Sequence, residues 1–464
     1  MMTASPTIGV VALGRTTFDV PFAEEITRDA FAQLDTLGVN IVGPRELLFD
    51  ADAVKAALPA LKAQPLDMLL ALQVTFTDAT MTVALADEID APIALWGYPE
   101  PRTGERLRLN SLCGINLAAH ALRKTGTDVG YVFGAPGDVD LMGLISGNAS
   151  SQFVPAASSG EMDEAGGAKV VEALKKVRIG VFGDHPDGFH TCGYDPAQVL
   201  AMTGATIEAH ALPGVFDRAR AIDAGRVAEI HANTDRRVAN LGDMEPEALD
   251  KGLRVYAALS DLAKEGEYTG LAVRCWPEFF TDYGCAACGA MAMLSGDGVP
   301  CACEADVFGN LSSQILQSLT DEPVFLADLV DIDAGDDTGV FWHCGLAPET
   351  MADPGAGVRV TIHSNRKKPL LHEFPLKPGR ITVARLSQSR GSVRLILAGG
   401  EMIKRPNSFS GTSGVVRFDR KATEILDGVM SEGLEHHYSF AYGEFRPALR
   451  AAAHALNIPV VELT

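Results

Sequence analysis

The stretch IGVVAL at residues 8–13, followed by PFAEEITRDAFAQLDTLG at 21–38 and VNIVGP at 39–44, decides the fold of the first third of the chain. A β-branched run, a helical pattern and a second β-branched run are typical of a parallel sheet covered by helices. The alternation continues through LDMLLAL at 66–72, APIALWG at 91–97 and VGYVFG at 129–134. These runs predict a doubly wound α/β unit. No GxGxxG motif follows the first strand, which disfavours a dinucleotide site.

A second α/β unit is predicted from VRIGVFG at 177–183, after a connection at 147–167 that is rich in Ser, Gly and Ala. The loop DHPDGFHTCGYD and a helix from about residue 196 follow this strand. The strand TGLAVRCWPEF at 269–279 carries Glu278 near its C-terminal end. Active sites of open parallel sheets usually lie at that end of the strands.

The sequence pattern changes after about residue 326, where short strands alternate with Gly, Pro and Asn turns. The strands are VRVTIHSN at 358–365, GRITVARLSQS at 379–389, SVRLILAGGEMI at 392–403 and GVVRFD at 414–419, before a closing helix and the strand IPVVEL. The predicted fold is α/β, with two doubly wound parallel-sheet domains followed by a mostly antiparallel β barrel-like C-terminal domain. The predicted boundaries are 1–170, 171–325 and 326–464.

Acidic and imidazole side chains are spread over three segments of the second half of the chain. They are Glu278, Glu304 and Asp306 in residues 276–310, His343 in FWHCG, and His437 in LEHHYSF. Carboxylate oxygens suit hard cations, and imidazole suits Mn²⁺ better than Mg²⁺. A divalent metal with an open position could polarise a sugar carbonyl while a carboxylate moves a proton between neighbouring carbons. This chemistry is aldose–ketose isomerisation.

Each of these residues also has a structural interpretation. Glu278 lies between Trp276 and Phe279 in an apolar stretch, where an acid is rarely buried without a partner. Glu304 or Asp306 could cap the helix VFGNLSSQILQSL, although capping does not easily explain both. His343 could be a core histidine. His436 could orient its neighbour through a hydrogen bond.

The order and context of these segments resemble the L-fucose isomerase and L-arabinose isomerase family, over most of the chain. In that family, two acids about 25 residues apart bind the metal and form the acid/base pair. The resemblance assigns the first acid to Glu278. The E-x-D of CEADVFGN resembles that of fucose isomerases, whose aspartate is the ligand, and this favours Asp306 as the second acid. The arabinose isomerases use a glutamate instead, so Glu304 remains the alternative. The pair at 436 and 437 resembles the His-His of arabinose isomerases, which favours His437 as the metal ligand.

Other positions follow from the same resemblance. His343 lies where arabinose isomerases supply a further histidine, so it could bind metal or substrate. The family's active site lies between the middle and C-terminal domains and is completed by a neighbouring subunit's N-terminal domain. Arg15, after the first strand, is a candidate to reach the neighbour's substrate in a homo-oligomer, a trimer or a hexamer. Trp276 and His185 are candidate substrate-binding residues, with core packing and turn formation as their alternatives.

The cysteines offer a competing site. Cys285 and Cys288 form C-x₂-C, while Cys301 and Cys303 form C-x-C, which only superficially resembles a zinc knuckle. The surrounding Ala, Gly and Met residues do not resemble a nucleic-acid module, so buried thiols are the preferred interpretation.

Composition excludes several classes of protein. The net charge of −21 disfavours nucleic acid and anionic membranes as partners. No apolar run long enough to span a membrane and no leader pattern occur, so a cytoplasmic protein is expected.

The predicted function is a metal-dependent aldose–ketose isomerase acting through a cis-enediolate, with Mn²⁺ as the expected cofactor and Mg²⁺ or Co²⁺ possible. The alternatives are a 1,2-hydride shift at the same site and a non-catalytic sugar-binding protein. Pentoses, 6-deoxyhexoses and substituted 6-deoxyhexoses such as sulfoquinovose all fit the predicted chemistry.

Overall fold

The computed structural model describes residues 5–147, 153–156 and 160–464. Residues 148–152 and 157–159 of the predicted connection lie outside the described residues.

The first sheet confirms the predicted parallel repeat. Its strands are β1 (Thr7–Leu13), β2 (Asn40–Val42), β3 (Leu47–Leu48), β4 (Met68–Gln73), β5 (Ile93–Gly97) and β6 (Val129–Phe133). They are ordered β2-β1-β4-β5-β6, and β3 pairs with the end of β1. The helices are α1 (Val20–Asp35), α2 (Ala51–Leu61), α3 (Thr80–Glu88), α4 (Ser111–Lys124), α5 (Leu141–Ile145) and α6 (Glu164–Leu174). Asp19 starts α1 by accepting the Phe22 amide hydrogen at 3.3 Å.

The second sheet is also parallel. Its strands are β7 (Arg178–Phe182), β8 (Thr206–His210), β9 (Gly270–Val273) and β10 (Cys301–Cys303), ordered β10-β9-β7-β8. Its helices are α7 (Pro196–Thr203), α8 (Pro213–Arg220), α9 (Ala224–Asp235), α10 (Pro246–Glu265), α11 (Cys288–Gly296) and α12 (Val307–Gln317). β9 is shorter than predicted, because its pairing with β7 and β10 ends at Val273, and Pro277, which has no amide hydrogen, limits any extension. Glu278 therefore lies beyond β9, immediately before a π-helical turn at Phe279–Tyr283.

The third sheet contains a closed antiparallel barrel, as predicted. Its strands are β11 (Phe325–Asp333), β12 (Thr338–His343), β13 (Arg359–Thr361), β14 (Leu371–Pro375), β15 (Gly379–Ser387), β16 (Arg394–Ile403), β17 (Thr412–Phe418), β18 (His437–Tyr442) and β19 (Val460–Glu462). The ring runs β17-β12-β11-β18-β15-β16 and closes through the pairing of β16 with β17. Helices α13 (Ala422–Glu432) and α14 (Arg446–Ala455) pack outside it.

The apolar cores join these units. One core cluster includes side chains from all three sheets, among them Leu69, Leu271 and Phe440. Helix α6 packs against α14, where a Cβ added to Gly167 would lie 2.6 Å from the Ala451 side chain. The three sheets therefore share one apolar core.

Candidate active site

A pocket lies where the carboxyl ends of the two parallel sheets meet the barrel. Arg15 follows β1, Trp276 follows β9 and Glu304 follows β10, and all three line this pocket. The barrel contributes Asp328 from β11 and His343 from the end of β12. Residues distant in the sequence therefore surround one cavity, at the edge where open parallel sheets usually place their sites.

Glu304 enters the pocket from an unusual turn between β10 and α12. Glu304 has φ of +61° and Ala305 has φ of +57°. Two consecutive non-glycine residues in the left-handed region cost about 1–2 kcal/mol each, and such strain clusters at functional sites. Trp276 Nε1 donates to Glu304 Oε1 at 3.0 Å, and His436 Nε2 contacts Oε2 at 3.0 Å. The carboxylate is thus held in a fixed orientation.

Barrel pairing brings Asp328 next to His437. Asp328 lies opposite His437 across the β11–β18 ladder. The Nε2 atom of His437 lies 3.5 Å from Asp328 Oδ1 and 3.7 Å from Glu304 Oε2. Asp328 Oδ1 is buried, and no group of the described residues forms a hydrogen bond with it. One imidazole nitrogen therefore faces both pocket carboxylates.

Asp306 occupies the other side of His437. Its Oδ2 atom lies 2.9 Å from His437 Nδ1 and accepts from Arg385 at 2.5 Å. Its Oδ1 atom accepts the Gly309 amide hydrogen at 2.8 Å, which makes Asp306 the N-cap of α12. The capping interpretation therefore applies to Asp306, the residue preferred as the second acid, and its carboxylate is committed to these partners.

The two pocket carboxylates differ in protonation. Burial raises the pKa of Asp328 to about 7. Burial also raises the pKa of Glu304, but the hydrogen bonds from His436 and Trp276 and the charge of His437 outweigh it and leave the pKa below its usual value. Two carboxylates whose pKa values are pushed apart in one cleft are typical of acid/base sites.

The three neighbouring imidazoles also differ. Burial lowers the pKa of His437, but the hydrogen bond to Asp306 and the charges of Asp328 and Glu304 outweigh it and raise this pKa overall. Burial and the charge of His437 lower the pKa of His436 to about 4 and that of His343 to about 3. His436 and His343 are therefore neutral at physiological pH.

These donors form overlapping groups that could hold a metal. One group comprises Glu304, His436 and His437, and a second comprises Asp328, His343 and His437. Within each group, one donor atom per residue lies within 4.8 Å of the others. A buried carboxylate oxygen without a partner is costly unless a cation binds it, and the oxygen-rich donor set with imidazole suits Mn²⁺. The residues present therefore fit a divalent cation.

Two residues singled out in the sequence lie apart from these groups. Arg274 Nε donates to Glu278 Oε2 at 2.8 Å, and this ion pair contributes to a pKa of Glu278 below its usual value although burial opposes it. His185 Nδ1 contacts the carbonyl of Pro186 at 3.1 Å. Within the described ranges, neither Glu278 nor His185 belongs to a three-donor group or lines the pocket.

Trp276 and Arg15 do line the pocket. The Arg15 guanidinium forms an ion pair with Asp78 and lies 5.5 Å from the ring centroids of Phe76 and Trp276. The resemblance implied that Arg15 acts on a neighbour's substrate. Here it lines the pocket of its own chain, together with Trp276 from the loop after β9.

The cysteine motifs do not come together as a knuckle. Cys288 and Cys303 line the pocket with Cys275 and Cys344, whereas Cys285 and Cys301 belong to the apolar core. All eight cysteines are free. Within the described chain, none of the three-donor groups contains two cysteines, in agreement with the preferred interpretation of buried thiols.

Sequence reasoning missed Asp328 and Arg366. Asp328 follows Glu304 by 24 positions, a spacing as close to the family's as that between Glu278 and Glu304. Its position in the apolar strand FLADLVDID was the signal that could have identified it. Arg366 lies in a loop after β13, and nothing in its sequence context marks it.

Comparison with known proteins places these residues in a family. Residues 9–142 match the fucose/sulfoquinovose isomerase N-terminal domain, and residues 372–464 match the L-fucose isomerase C-terminal domain. The sulfoquinovose isomerase of Alkalicoccus urumqiensis is 29% identical over 98% of this chain and 99% of its own length. That of Priestia aryabhattai is 28% identical over 97% and 98%, and that of Clostridium sp. (strain MSTE9) is 29% identical over 97% and 98%.

A solved A1-type ketoreductase aligns with 65% of this chain and 78% of its own length at 13% identity. Its TM-score of 0.25 is too low to indicate a shared fold. No helix in the described residues is long and apolar enough to cross a membrane.

The domain matches and the full-length relatives agree with the pocket of carboxylates and histidines. The chain belongs to the fucose isomerase-like sugar isomerases and is an aldose–ketose isomerase, an intramolecular oxidoreductase.

Proposed function

We propose that this isomerase is metal-dependent and that Glu304, Asp328, His343 and His437 hold a divalent cation, Mn²⁺ with Mg²⁺ or Co²⁺ as substitutes. When bound, such a cation polarises a sugar carbonyl as a Lewis acid. Glu278 leaves the set of candidate ligands because Arg274 engages its carboxylate. Asp306 leaves it because Arg385 engages both of its oxygens.

The carboxylates of this chain carry the proton transfer. A carboxylate oxygen of Asp328 accepts the proton from the hydroxyl-bearing carbon next to the carbonyl and returns it to the former carbonyl carbon, through a cis-enediolate. Glu304, ionised and oriented by the Trp276 indole, accepts the hydroxyl proton and returns it to the former carbonyl oxygen. Trp276 and Phe280 line the pocket, and their rings would exclude water from one side of the sugar.

One observation is the main support for this proposal. The buried Asp328 Oδ1 atom, which forms no hydrogen bond within the described residues, lies 3.5 Å from His437 Nε2. His343 belongs to this set of ligands by proximity alone. Its Nδ1 atom accepts the Cys344 amide hydrogen at 2.9 Å, so the neutral ring carries its hydrogen on Nε2 and binds a cation only by giving up this arrangement. Its substitution should weaken metal binding less than that of Asp328.

Metal removal tests the proposal. Chelator-treated protein should lose turnover, and Mn²⁺ should restore it better than Ca²⁺, whose larger and more flexible coordination shell fits this cluster less well. Titration calorimetry of the treated protein should show one Mn²⁺ site that Asp328→Asn weakens. Full turnover in protein shown to be metal-free would refute the proposal.

A 1,2-hydride shift is the alternative mechanism at the same site. A proton carried by Asp328 exchanges with solvent, whereas a hydride that migrates between carbons does not. Turnover in tritiated water should therefore label the product at the carbon that receives the proton. An unlabelled product would instead favour the hydride shift.

The charge of the pocket favours a sugar with an anionic group remote from its carbonyl. Arg366 lies in the pocket wall with its guanidinium 5.2 Å from the Trp276 ring centroid and 5.4 Å from that of Phe280. No carboxylate of the described residues pairs with it within 4.0 Å, and the charge of nearby Arg15 contributes, after burial, to lowering its pKa. A substrate anion would relieve this repulsion, as the sulfonate of a sulfoquinovose-type sugar would.

Substitution of Arg366 tests this substrate assignment. Arg366→Met should raise KM for a sulfonated 6-deoxyglucose by about 10- to 100-fold, the value of a charge-assisted hydrogen bond. Any turnover of neutral L-fucose should change little. Arg45→Met, at an exposed arginine paired with Asp35, serves as the control. Equal effects on both sugars would contradict an anion site.

The proposal also includes three domains, at residues 1–170, 171–325 and 326–464, and a homo-oligomeric assembly.

A further inference from the structure

Asp306, Arg385 and His437 form a row of buried polar side chains behind the pocket. Arg385 is completely buried, and the other two are 1% exposed. Arg385 donates to Asp306 Oδ2 at 2.5 Å and to Oδ1 at 3.1 Å, and the Gly309 amide donates to Oδ1 at 2.8 Å. Asp306 Oδ2 also lies 2.9 Å from His437 Nδ1. Each oxygen of Asp306 thus has two partners.

The chemistry of these groups determines which atom donates in the hydrogen bond between Asp306 Oδ2 and His437 Nδ1. Arg385 donates to both oxygens of Asp306 and the Gly309 amide donates to one of them, so these buried donors stabilise the ionised carboxylate. An ionised carboxylate only accepts hydrogen bonds. His437 must therefore donate through Nδ1, which leaves Nε2 of the neutral ring without a hydrogen. That atom faces Asp328 and Glu304.

Arg385 is itself held in place. It lies on β15, which pairs with the His437-bearing strand β18. Its guanidinium donates to the Thr191 carbonyl at 3.3 Å, and its Nε atom lies 3.9 Å from Glu435 Oε2. Glu435 Oε1 accepts the Gln388 amide hydrogen at 2.9 Å. The arginine is therefore confined between two carboxylates.

We propose that Asp306 and Arg385 are positioning residues that set the tautomer of His437, so that its Nε2 lone pair is available to the cation. This inference rests on the proposed function, in which His437 is a ligand. A carboxylate that orients a metal-binding histidine typically changes metal affinity by about 10- to 100-fold when it is removed. A role for Asp306 as a helix cap alone predicts lower stability without a change of tautomer.

The metal-free wild-type protein provides the first test. With ¹⁵N-labelled histidine at mildly alkaline pH, NMR should show His437 protonated at Nδ1 and bare at Nε2, and the signal is assigned by its loss in His437→Gln. Protonation at Nε2 would overturn the inference without the need for any further variant. If the expected tautomer is found but the protein binds no Mn²⁺, the proposed function fails and the tautomer assignment stands.

Asp306→Asn provides the second test. The Oδ1 position faces two obligate donors, Arg385 and the Gly309 amide, so the amide oxygen takes that position. The amide NH₂ then faces His437 Nδ1, and the ring hydrogen moves to Nε2. Mn²⁺ affinity should fall at least about 10-fold, and the NMR signature should change to Nε2–H. An unchanged tautomer with unchanged affinity would contradict the inference.

The matched control is Asp331→Asn. Asp331 is 2% exposed and pairs with Arg102 at 2.7 Å, away from the pocket. This substitution should lower the melting temperature but leave the His437 tautomer and the Mn²⁺ affinity unchanged. Equal losses of affinity in both variants would assign Asp306 a structural role only.

Discussion

Trp276 and Glu304 follow neighbouring strands, and the indole hydrogen of Trp276 is donated to the Glu304 carboxylate at 3.0 Å. Because Val273 lies beside Cys303 in the parallel ladder, the chains leaving the two strands stay adjacent. The hydrogen bond therefore orients a pocket carboxylate in a turn where Glu304 and Ala305 have positive φ angles, which are unfavourable for residues other than glycine.

Trp276→Phe should keep the aromatic wall and lose this hydrogen bond. A hydrogen bond to a charged group contributes about 1.5–3 kcal/mol, so kcat should fall roughly 10- to 100-fold in steady-state assays. The control is Trp96→Phe, because Trp96 donates to the Gly134 carbonyl at 3.0 Å inside the first sheet. That variant should lose stability but not kcat; an equal loss of kcat would argue for a general packing effect.

Glu304→Gln and Glu278→Gln should differ strongly. Removing the Glu304 charge takes a carboxylate from the pocket, and kcat should fall at least about 100-fold. Glu278→Gln removes only an ion pair with Arg274, so kcat should stay within about threefold. Parallel kinetics with melting curves check both variants. The opposite order would return the acid/base role to Glu278.

Asp328→Asn should stabilise the metal-free protein, increasingly as the pH rises. The folded-state pKa of Asp328, about 7, exceeds the unfolded value of about 3.9. The wild-type contribution is therefore fully present below about pH 4 and is lost as the pH rises through 7. By pH 8 the difference in unfolding free energy should reach up to about 4 kcal/mol. Urea unfolding with chelator present at several pH values measures it, and a pH-independent difference would contradict the assignment.

Gly309→Ala should destabilise the protein although alanine favours helices. An added Cβ would lie 2.5 Å from Asp306 Oδ2 and 2.9 Å from an Arg385 nitrogen, inside a fully buried ion pair. Helix propensity gains only about 1 kcal/mol. The control is Gly214→Ala in α8, where nothing lies within 4 Å of the new carbon and a small gain is expected. Calorimetry should show a lower melting temperature for Gly309→Ala and a slightly higher one for Gly214→Ala. A higher melting temperature for Gly309→Ala would show that Asp306 and Arg385 move aside at little cost.

Mixed oligomers of Arg15→Ala and Glu304→Gln chains should not regain activity. Both residues line the pocket of one chain, so every site in a hybrid carries one defect. Subunit exchange would be verified by differently tagged chains. Recovered activity in exchanged hybrids would show that Arg15 acts on a neighbour's substrate, as the family resemblance implied.

The sequence alone predicted the layers of the fold because those layers follow from local patterns. Buried β-branched runs alternating with helical segments predict parallel sheets, and short strands between turn residues predict an antiparallel barrel. Through the resemblance it also named His437, and Glu304 as the alternative to Asp306, as candidate site residues, and these assignments remain predictions. An acid in the apolar strand FLADLVDID marks Asp328 as unusual, but the sequence does not show which side chains it meets.

Tertiary structure alone decided which acid meets which partner. Glu278, Asp306 and Asp328 are chemically similar in sequence, but Arg274 engages the first, Arg385 engages the second, and the third is left facing His437. Strand register and barrel closure set these choices, because they bring together side chains from β10, β11 and β18. The energy of a buried carboxylate depends on the partners within a few ångströms, and only the folded chain defines them.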